Sequence, residues 1–442
     1  MSSLGKKHVQ RACSLIKQQL MESCVDSGAL ALAFDILATI PEEYKSGKWT
    51  EERELKRKAH VKPNEALSQE KPRMIITSGD EGVVRHILDS GLLEHALFNN
   101  PLFEQRSLKH ASRREFGRRM GEMMRCYEHA CSMDFGAFDG SCTRECRDLI
   151  ENDIILSMFM KLMSAEPMDG LIHAAVKDRI KQKANISVKI VVKAVIWDMI
   201  RESGDRGTSI LNFLTNLTLF YANMAMLLEK RGVKEKVIKK MIMESLKSGN
   251  LANLMGEGDD GLHVFKEAFD MNTSFKIELQ GPTGDLEFHE CVTSTQERLE
   301  FCSKIAVAVG SETYYFPKPA KLSNSLTVSF DMGNPRSIAG YTKAVAMMSN
   351  CIHQPLLLAL CKAIATGHKE DGGTLDVKHL TRLLGPGEEI GEDADYEERL
   401  TIETHALERE TGITVAYQED AILALGTGNR DTVTACLKAL RG

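Results

Sequence analysis

The sequence lacks any run of the roughly 18 to 20 uninterrupted apolar residues that a membrane-spanning helix requires. Its nearest approach, Ile210 to Leu228, is interrupted by Asn212, Thr215, Asn216, Thr218 and Asn223 and reads as a helix buried in protein. Close cysteine pairs are also missing. The 11 cysteines include no CxxC, and the wider spacings Cys126/Cys131 and Cys142/Cys146 have no matching histidine pair. Reduced, buried thiols in a cytosolic setting are therefore the reading, in preference to structural zinc. No secretory signal, internal repeat or low-complexity tract is visible. Nor is there an excess of positive charge: the net charge is −6, so any groove for a polyanion must be built by local segregation.

Segregation of that kind is present. Basic runs occur at Arg53, Lys56, Arg57, Lys58 and Lys62, at Arg113, Arg114, Arg118 and Arg119, and at Lys177, Arg179, Lys181 and Lys183. The acidic counterweight lies late, from Glu388 to Glu398. Any one run, taken alone, reads rather as a solvated helix face. With 442 residues, 43% hydrophobic and 27% charged, the chain has the composition of a folded protein of about two to four lobes.

The pattern mixes helices and strands and predicts an α+β class. Helical periodicity covers Val9 to Cys24, Ala29 to Ile40 and most of residues 82 to 129. A short strand at Ala130 to Phe135 leads into a long helix, Thr143 to Met163, and Ile186 to Ile196 reads as a further strand. A helix starts at Thr208, a second carries the basic stretch Lys234 to Lys240, and Leu251 to Phe265 reads as two short strands around a tight turn. From about Pro335 onward the pattern is mainly helical.

The chemistry concentrates in acidic residues that lie far apart in the chain. Gly258-Asp259-Asp260 occupies the tight turn, and Asp134 and Asp139 lie upstream. Nucleotidyl transfer uses two divalent cations to bind the attacking hydroxyl, the reacting phosphate and the leaving pyrophosphate. Two or three carboxylates at adjacent strand ends suffice to hold them, because magnesium keeps phosphate oxygens and water among its ligands. A glycine before the pair permits the turn and a close approach of substrate. By itself the tripeptide reads rather as a surface hairpin turn.

In chain order the segments are Asp134-Phe-Gly-Ala-Phe-Asp139, Ser203-Gly-Asp-Arg-Gly-Thr208-Ser-Ile-Leu-Asn212 and Gly258-Asp-Asp260. The series resembles motifs A, B and C of viral RNA-dependent RNA polymerases. Its Ser-Gly-Asp-x-x-Thr-Ser-x-x-Asn form is similar to that of the tombusvirus-like lineage and its flavivirus-type relatives among positive-strand RNA viruses. Upstream, Val61-Lys-Pro-Asn-Glu65 with Lys71-Pro-Arg73 is similar to motif F; downstream, Glu300-Phe-Cys302 and the region to Leu326 look like the motif E hairpin.

The resemblance implies a right-hand architecture. Fingers and fingertips with motif F would occupy 1–128, palm motif A and its helix 129–165, a fingers insertion 166–199, palm motifs B, C and D 200–300, and the motif E hairpin with a mostly helical thumb 301–442. It also implies roles. Asp134, Asp259 and Asp260, with the Phe135 carbonyl, would bind two Mg2+ or Mn2+ ions. Asp139, Ser203, Gly204, Thr208 and Asn212 would read the ribose, a hydroxyl being both donor and acceptor. Arg73, Lys71 and Lys62 would neutralise the triphosphate. Lys276 is the positional match for the general acid, with Lys266 as its rival.

Two departures stand out. Thr77-Ser-Gly-Asp-Glu81 replaces the further basic residue expected after motif F, leaving Arg85 as the nearest substitute, and Gly261-Leu262 follows the acidic pair. The implied partners are template and nascent RNA, nucleoside triphosphates, other replicase components and, indirectly, host membranes in the cytoplasm. An inactive RNA-binding relative would be free to lose its metal ligands, and a reverse transcriptase would carry an aromatic ribose gate and Tyr-x-Asp-Asp. The residues here favour RNA synthesis over both.

Overall fold

Helix formation here follows burial. Residues 210–222 and 224–228 are all buried within one helix, and that helix organises the larger of two units. The structure, a computed structural model, describes residues 2–23, 58–61, 74–77, 79–98, 100–109, 113–133, 144–158, 187–190, 195–198, 207–266, 275–278, 285–286, 290–292, 298–309, 312–327, 335–351, 354–378 and 396–441, with single residues 35, 111, 138, 142 and 380.

In chain order the elements begin with β1 (Ser2–Gly5), α1 (Lys6–Ser23), β2 (Lys58–Val61), β3 (Met74–Thr77), α2 (Gly79–Phe98), α3 (Pro101–Glu104) and α4 (Arg113–Cys126). Next come β4 (His129–Met133), α5 (Arg144–Arg147), β5 (Ser187–Ile190), β6 (Val195–Asp198), α6 (Thr208–Lys230) and α7 (Glu235–Ser248). Strands β7 (Ala252–Glu257), β8 (Asp260–Phe265), β9 (Phe275–Glu278), β10 (Asp285–Leu286) and β11 (Glu290–Val292) follow. The chain continues with β12 (Arg298–Phe301), β13 (Lys304–Val309), β14 (Glu312–Pro317), α8 (Pro319–Thr327), α9 (Arg336–Asn350), α10 (Pro355–Glu370), α11 (Tyr396–Thr411), α12 (Val415–Gly426) and α13 (Arg430–Ala439).

The first unit comprises Met1–Lys109 and Tyr127–Thr293. Its principal sheet is antiparallel, in the order β11-β4-β8-β7. Helix α6 packs its side chains onto this sheet, with Phe220 tilted against His263 and Phe265 of β8 at 4.6 and 5.8 Å between ring centres. Val9, Ile16 and Leu20 of α1 join the same core. Among the described residues α6 is the one helix long and apolar enough to cross a membrane, yet 94% of its most apolar stretch lies inside the protein. An all-round apolar helix of this kind is expected at the centre of a large core.

Two differences from the sequence pattern are instructive. The stretch expected to be one strand over Ile186 to Ile196 contains an antiparallel pair, β5 and β6, with Ile190 opposite Val195; β-branched residues favour extended backbone but do not locate its reversal. The helix expected from Thr143 contains one π turn after α5, where Asp153 N–H bonds to Asp148 O. Its buried residues Ile150, Ile154 and Met158 keep the expected spacing. Val9 to Cys24 corresponds to α1, while Ala29 to Ile40, Asp35 apart, lies outside the described residues.

The second unit comprises His110–Cys126 and Ser294–Gly442. Its β12-β13-β14 meander turns through Cys302 and Ser303, both at positive φ (48° and 63°), in the region expected to form the motif E hairpin. Helix α4 lies on that meander, with Phe116 edge-on to Tyr315 at 5.1 Å and the Lys304 ammonium 4.7 Å from the Phe116 ring centre. A helical core built on Leu356, Leu357, Leu360 and Leu407 completes the unit.

Candidate functional site

Strands β7 and β8 form a hairpin whose closing pair is Glu257 and Asp260, leaving Gly258 and Asp259 as the two turn residues. Gly258 has φ of +64° and Asp259 does not share the positive φ, the arrangement of a turn with glycine at its first central position. Gly258 also lies against the first turns of α6. A Cβ there would lie 3.9 Å from Ser209 Cα and 4.0 Å from Asn212 Cβ. Thus the segment beginning at Thr208 and the Gly-Asp-Asp turn, 50 residues apart in sequence, meet in space.

Polar contacts reinforce this meeting. Ser209 Oγ donates to Glu257 Oε1 at 3.3 Å, and Asn216 Nδ2 donates to the Asp259 carbonyl at 3.1 Å. Asn216 Oδ1 lies 3.3 Å from His263 Nε2. Burial drives the His263 pKa down to about 3, so the ring is neutral and Nε2–H donates to the amide oxygen. Glu257 is shifted upward, first by burial and also by the charge of Asp260, while the Ser209 bond and Lys109 act against that rise. Lys109 is itself paired with Glu94.

The free side of β7 is covered locally. Gly256 N–H donates to Arg106 O at 2.8 Å and Leu108 N–H to Gly256 O at 3.3 Å, so residues 106–108 run alongside the strand near the turn. Arg106 also donates to Ser245 O at 3.2 Å, tying that segment to the end of α7. On the other side β4 pairs with β8 and carries Met133 opposite Gly261, the residue after Asp260.

Of the residues expected from sequence to form the site, Asp259 is partly exposed, Asp260 is exposed, and Thr208 and Asn212 occupy the first turns of α6, Asn212 being 3% exposed. Lys276 lies on β9, the middle strand of a separate β1-β9-β10 sheet, opposite Ser3 and Asp285. Lys266 follows the last residue of β8. It is six residues from Asp260, roughly 20 Å along an extended strand, and its amine donates to Asn250. Asp134, Phe135, Asp139, Ser203, Gly204, Arg73, Lys71 and Lys62 lie outside the described residues, as does Arg85 for its side chain. Among the described residues no group of three His, Cys, Asp or Glu is placed to hold a metal ion.

Sequence reasoning missed Ser209, Asn216, Glu257, His263 and Lys109 as parts of this cluster. Asn216 was legible as an amide one helical turn after Asn212 on an otherwise apolar helix. His263 required knowledge of strand parity, since residues 261, 263 and 265 share one face.

The sequence matches no protein-family profile and no curated protein. Among solved structures, the chain is similar to the Sicinivirus 3Dpol RNA-dependent RNA polymerase, with a TM-score of 0.52 and 13% identity over 78% of this chain and 71% of that one. The likeness is one of fold: helices with small, largely antiparallel sheets.

Proposed function

We propose that the chain is an RNA-directed RNA polymerase of a positive-strand RNA virus, of the tombusvirus-like and flavivirus-type group, joining nucleotides to a growing RNA 3′ end. The observation that carries this reading is the packing of Ser209 and Asn212 of α6 against the Gly258-Asp259-Asp260 turn, on a fold like that of a viral polymerase. The segments that resemble motifs B and C then meet in space, which supports the reading.

In this reading the β11-β4-β8-β7 sheet with α6 is the palm. Fingers come from residues 1–128 and 166–199, with palm segments at 129–165 and 200–300 and the motif E hairpin and thumb at 301–442. Asp259 and Asp260 offer only oxygen donors, the ligands that Mg2+ and Mn2+ prefer. Asp134 follows Met133 directly in sequence, at the end of the strand paired beside Gly261, and would join them with the Phe135 carbonyl. Two such ions, when bound, would polarise the reacting phosphate and lower the pKa of the attacking hydroxyl.

The protein's own part is to hold carboxylates at the turn, to read the ribose through Asp139, Asn212, Ser203, Gly204 and Thr208, and to neutralise the triphosphate through Arg73, Lys71 and Lys62. Lys276 would return the proton to the leaving pyrophosphate. Template RNA, nascent RNA and nucleoside triphosphates are the direct partners. Other replicase components and host cytoplasmic membranes would surround them.

The test is RNA synthesis on a short heteropolymeric template with four ribonucleotides and Mg2+ or Mn2+, comparing wild type with Asp259→Ala. Product from wild type alone is expected. Equal product from both would refute the metal-site assignment, no product from either would favour an inactive RNA-binding subunit, and efficient use of deoxynucleotides would refute the ribose-reading roles.

A further inference from the structure

Beneath the acidic turn lies a buried polar trio that the motif comparison does not include. Asn216 is 0% exposed, in the middle of α6, and spends both ends of its amide on one line of contacts: Nδ2 to the Asp259 carbonyl at 3.1 Å, Oδ1 to His263 Nε2 at 3.3 Å. The histidine is 3% exposed and wedged against Phe220 at 4.6 Å. Gly261 leaves the space in which the trio meets. A Cβ at that position would lie 2.8 Å from Asn216 Nδ2 and 3.2 Å from His263 Nε2.

The Asp259 carbonyl belongs to the peptide plane between the two aspartates. Anchoring that oxygen sets the torsion leading out of Asp259 and the one leading into Asp260, and therefore the directions in which both carboxylates project. The anchor is rigid because α6 is buried along most of its length. A carbonyl accepts only, so the amide must present Nδ2 to it. The His263 N–H at the other end opposes the flipped amide, which would bring two donors together.

We infer that Asn216 is a positioning residue for the Asp259-Asp260 pair, that His263 holds its amide in the donating orientation, and that Gly261 is required for their approach. The inference rests on the polymerase reading of this turn. It also gives Gly261, one of the two departures from the motifs that the sequence resembles, a physical function. Groups that orient the ligands of a metal typically contribute about 10- to 100-fold to affinity or activity.

The experiment uses the full chain and Mn2+ alone as probe, titrated by electron paramagnetic resonance of the free ion, together with steady-state RNA synthesis and thermal unfolding. Asn216→Asp keeps the shape but replaces the donor with an acceptor. It is expected to weaken Mn2+ binding and lower kcat by about 10- to 100-fold, with KM for nucleotide changing by less than about threefold. His263→Gln retains an N–H for Oδ1 whereas His263→Leu does not. The leucine variant is expected to bind Mn2+ at least about fivefold more weakly than the glutamine variant, within the range above, at matched unfolding temperatures. That pair carries the comparison should Asn216→Asp unfold.

Wild-type Mn2+ affinity and kcat in Asn216→Asp, or equal affinities in His263→Gln and His263→Leu, would overturn the inference. Asp259→Asn separates the two levels. If it loses Mn2+ while the Asn216 and His263 variants do not, the positioning role fails and the site stands. If it binds Mn2+ like wild type, the site reading fails and the inference falls with it.

Discussion

Gly249 joins α7 to the first strand of the acidic hairpin, and replacing it with alanine should loosen that hairpin by an amount the structure allows to be worked out. Its φ is +64° and its N–H caps α7 by donating to Ser245 O at 2.7 Å. An alanine held in this left-handed conformation costs about 1–2 kcal/mol. A new Cβ would also collide with the Tyr127 hydroxyl, which donates to Gly249 O at 2.7 Å from a side chain 6% exposed. Losing that buried hydrogen bond adds about 1–2 kcal/mol. Gly249→Ala should therefore cost about 2–4 kcal/mol, and Tyr127→Phe alone about 1–2 kcal/mol. In the Tyr127→Phe background no hydroxyl obstructs the methyl, so Gly249→Ala should cost only the backbone term, and the double variant should fall short of the sum by about 1 kcal/mol or more.

Hydrogen exchange of the peptide covering Ala252–Phe265 reports this directly, since about 1.4 kcal/mol corresponds to a tenfold faster rate. The single glycine variant should exchange between about 30-fold and several hundredfold faster than wild type. Exchange within about twofold of wild type, or strict additivity of the two substitutions, would refute the reasoning.

Three further outcomes are expected. Glu229 accepts from Lys7 and His8 at 2.7 and 2.5 Å, and first the Lys7 bond, then that of His8, lower its pKa to about 2 from 4.5. A depressed carboxylate stabilises the fold above pH 4.5 and loses that contribution as the pH falls toward 2. With its side chain 40% exposed, screening reduces the contribution to about 0.5–1 kcal/mol, so the stability gap between wild type and Glu229→Gln in urea titrations should close between pH 5 and pH 2. Gly117→Ala would place a methyl 2.7 Å from Tyr315 Cε1, and overpacking of this kind costs about 1–3 kcal/mol; an unchanged unfolding temperature would contradict the α4 packing. Cys13 is buried, donates to Leu149 O at 3.0 Å and has its thiol pushed up to about 12 chiefly by burial, whereas Cys126 is exposed. Mass-spectrometric alkylation of the native protein at pH 8 should label Cys126 at least about 100-fold faster than Cys13.

Much of the first unit was legible because its signals are local. The apolar length after Thr208 announced α6, and glycine with two aspartates between alternating apolar residues announced the β7–β8 hairpin at nearly its observed bounds. The pairing of β1 with β9, which sets Ser2 beside Phe275, carried no local signal because its partners are remote and the strands short. The site divides in the same way. Asp259 and Asp260 were visible as residue types at a turn. Asn216 and His263 belong to it only because a helical turn and a strand register bring them to one carbonyl, and neither periodicity specifies which two elements will meet.

The strand order β11-β4-β8-β7 has a consequence for how the protein is made. β4 is synthesised first, yet its neighbour β8 lies roughly 130 residues downstream and β11 farther still. At about 5–20 residues per second, β4 waits on the order of ten seconds beside the ribosome with both edges unpaired. Its yield of native protein then depends on elongation rate and on chaperones that shield open strands, and slowing growth by lowering temperature prolongs that wait even as it weakens hydrophobic association.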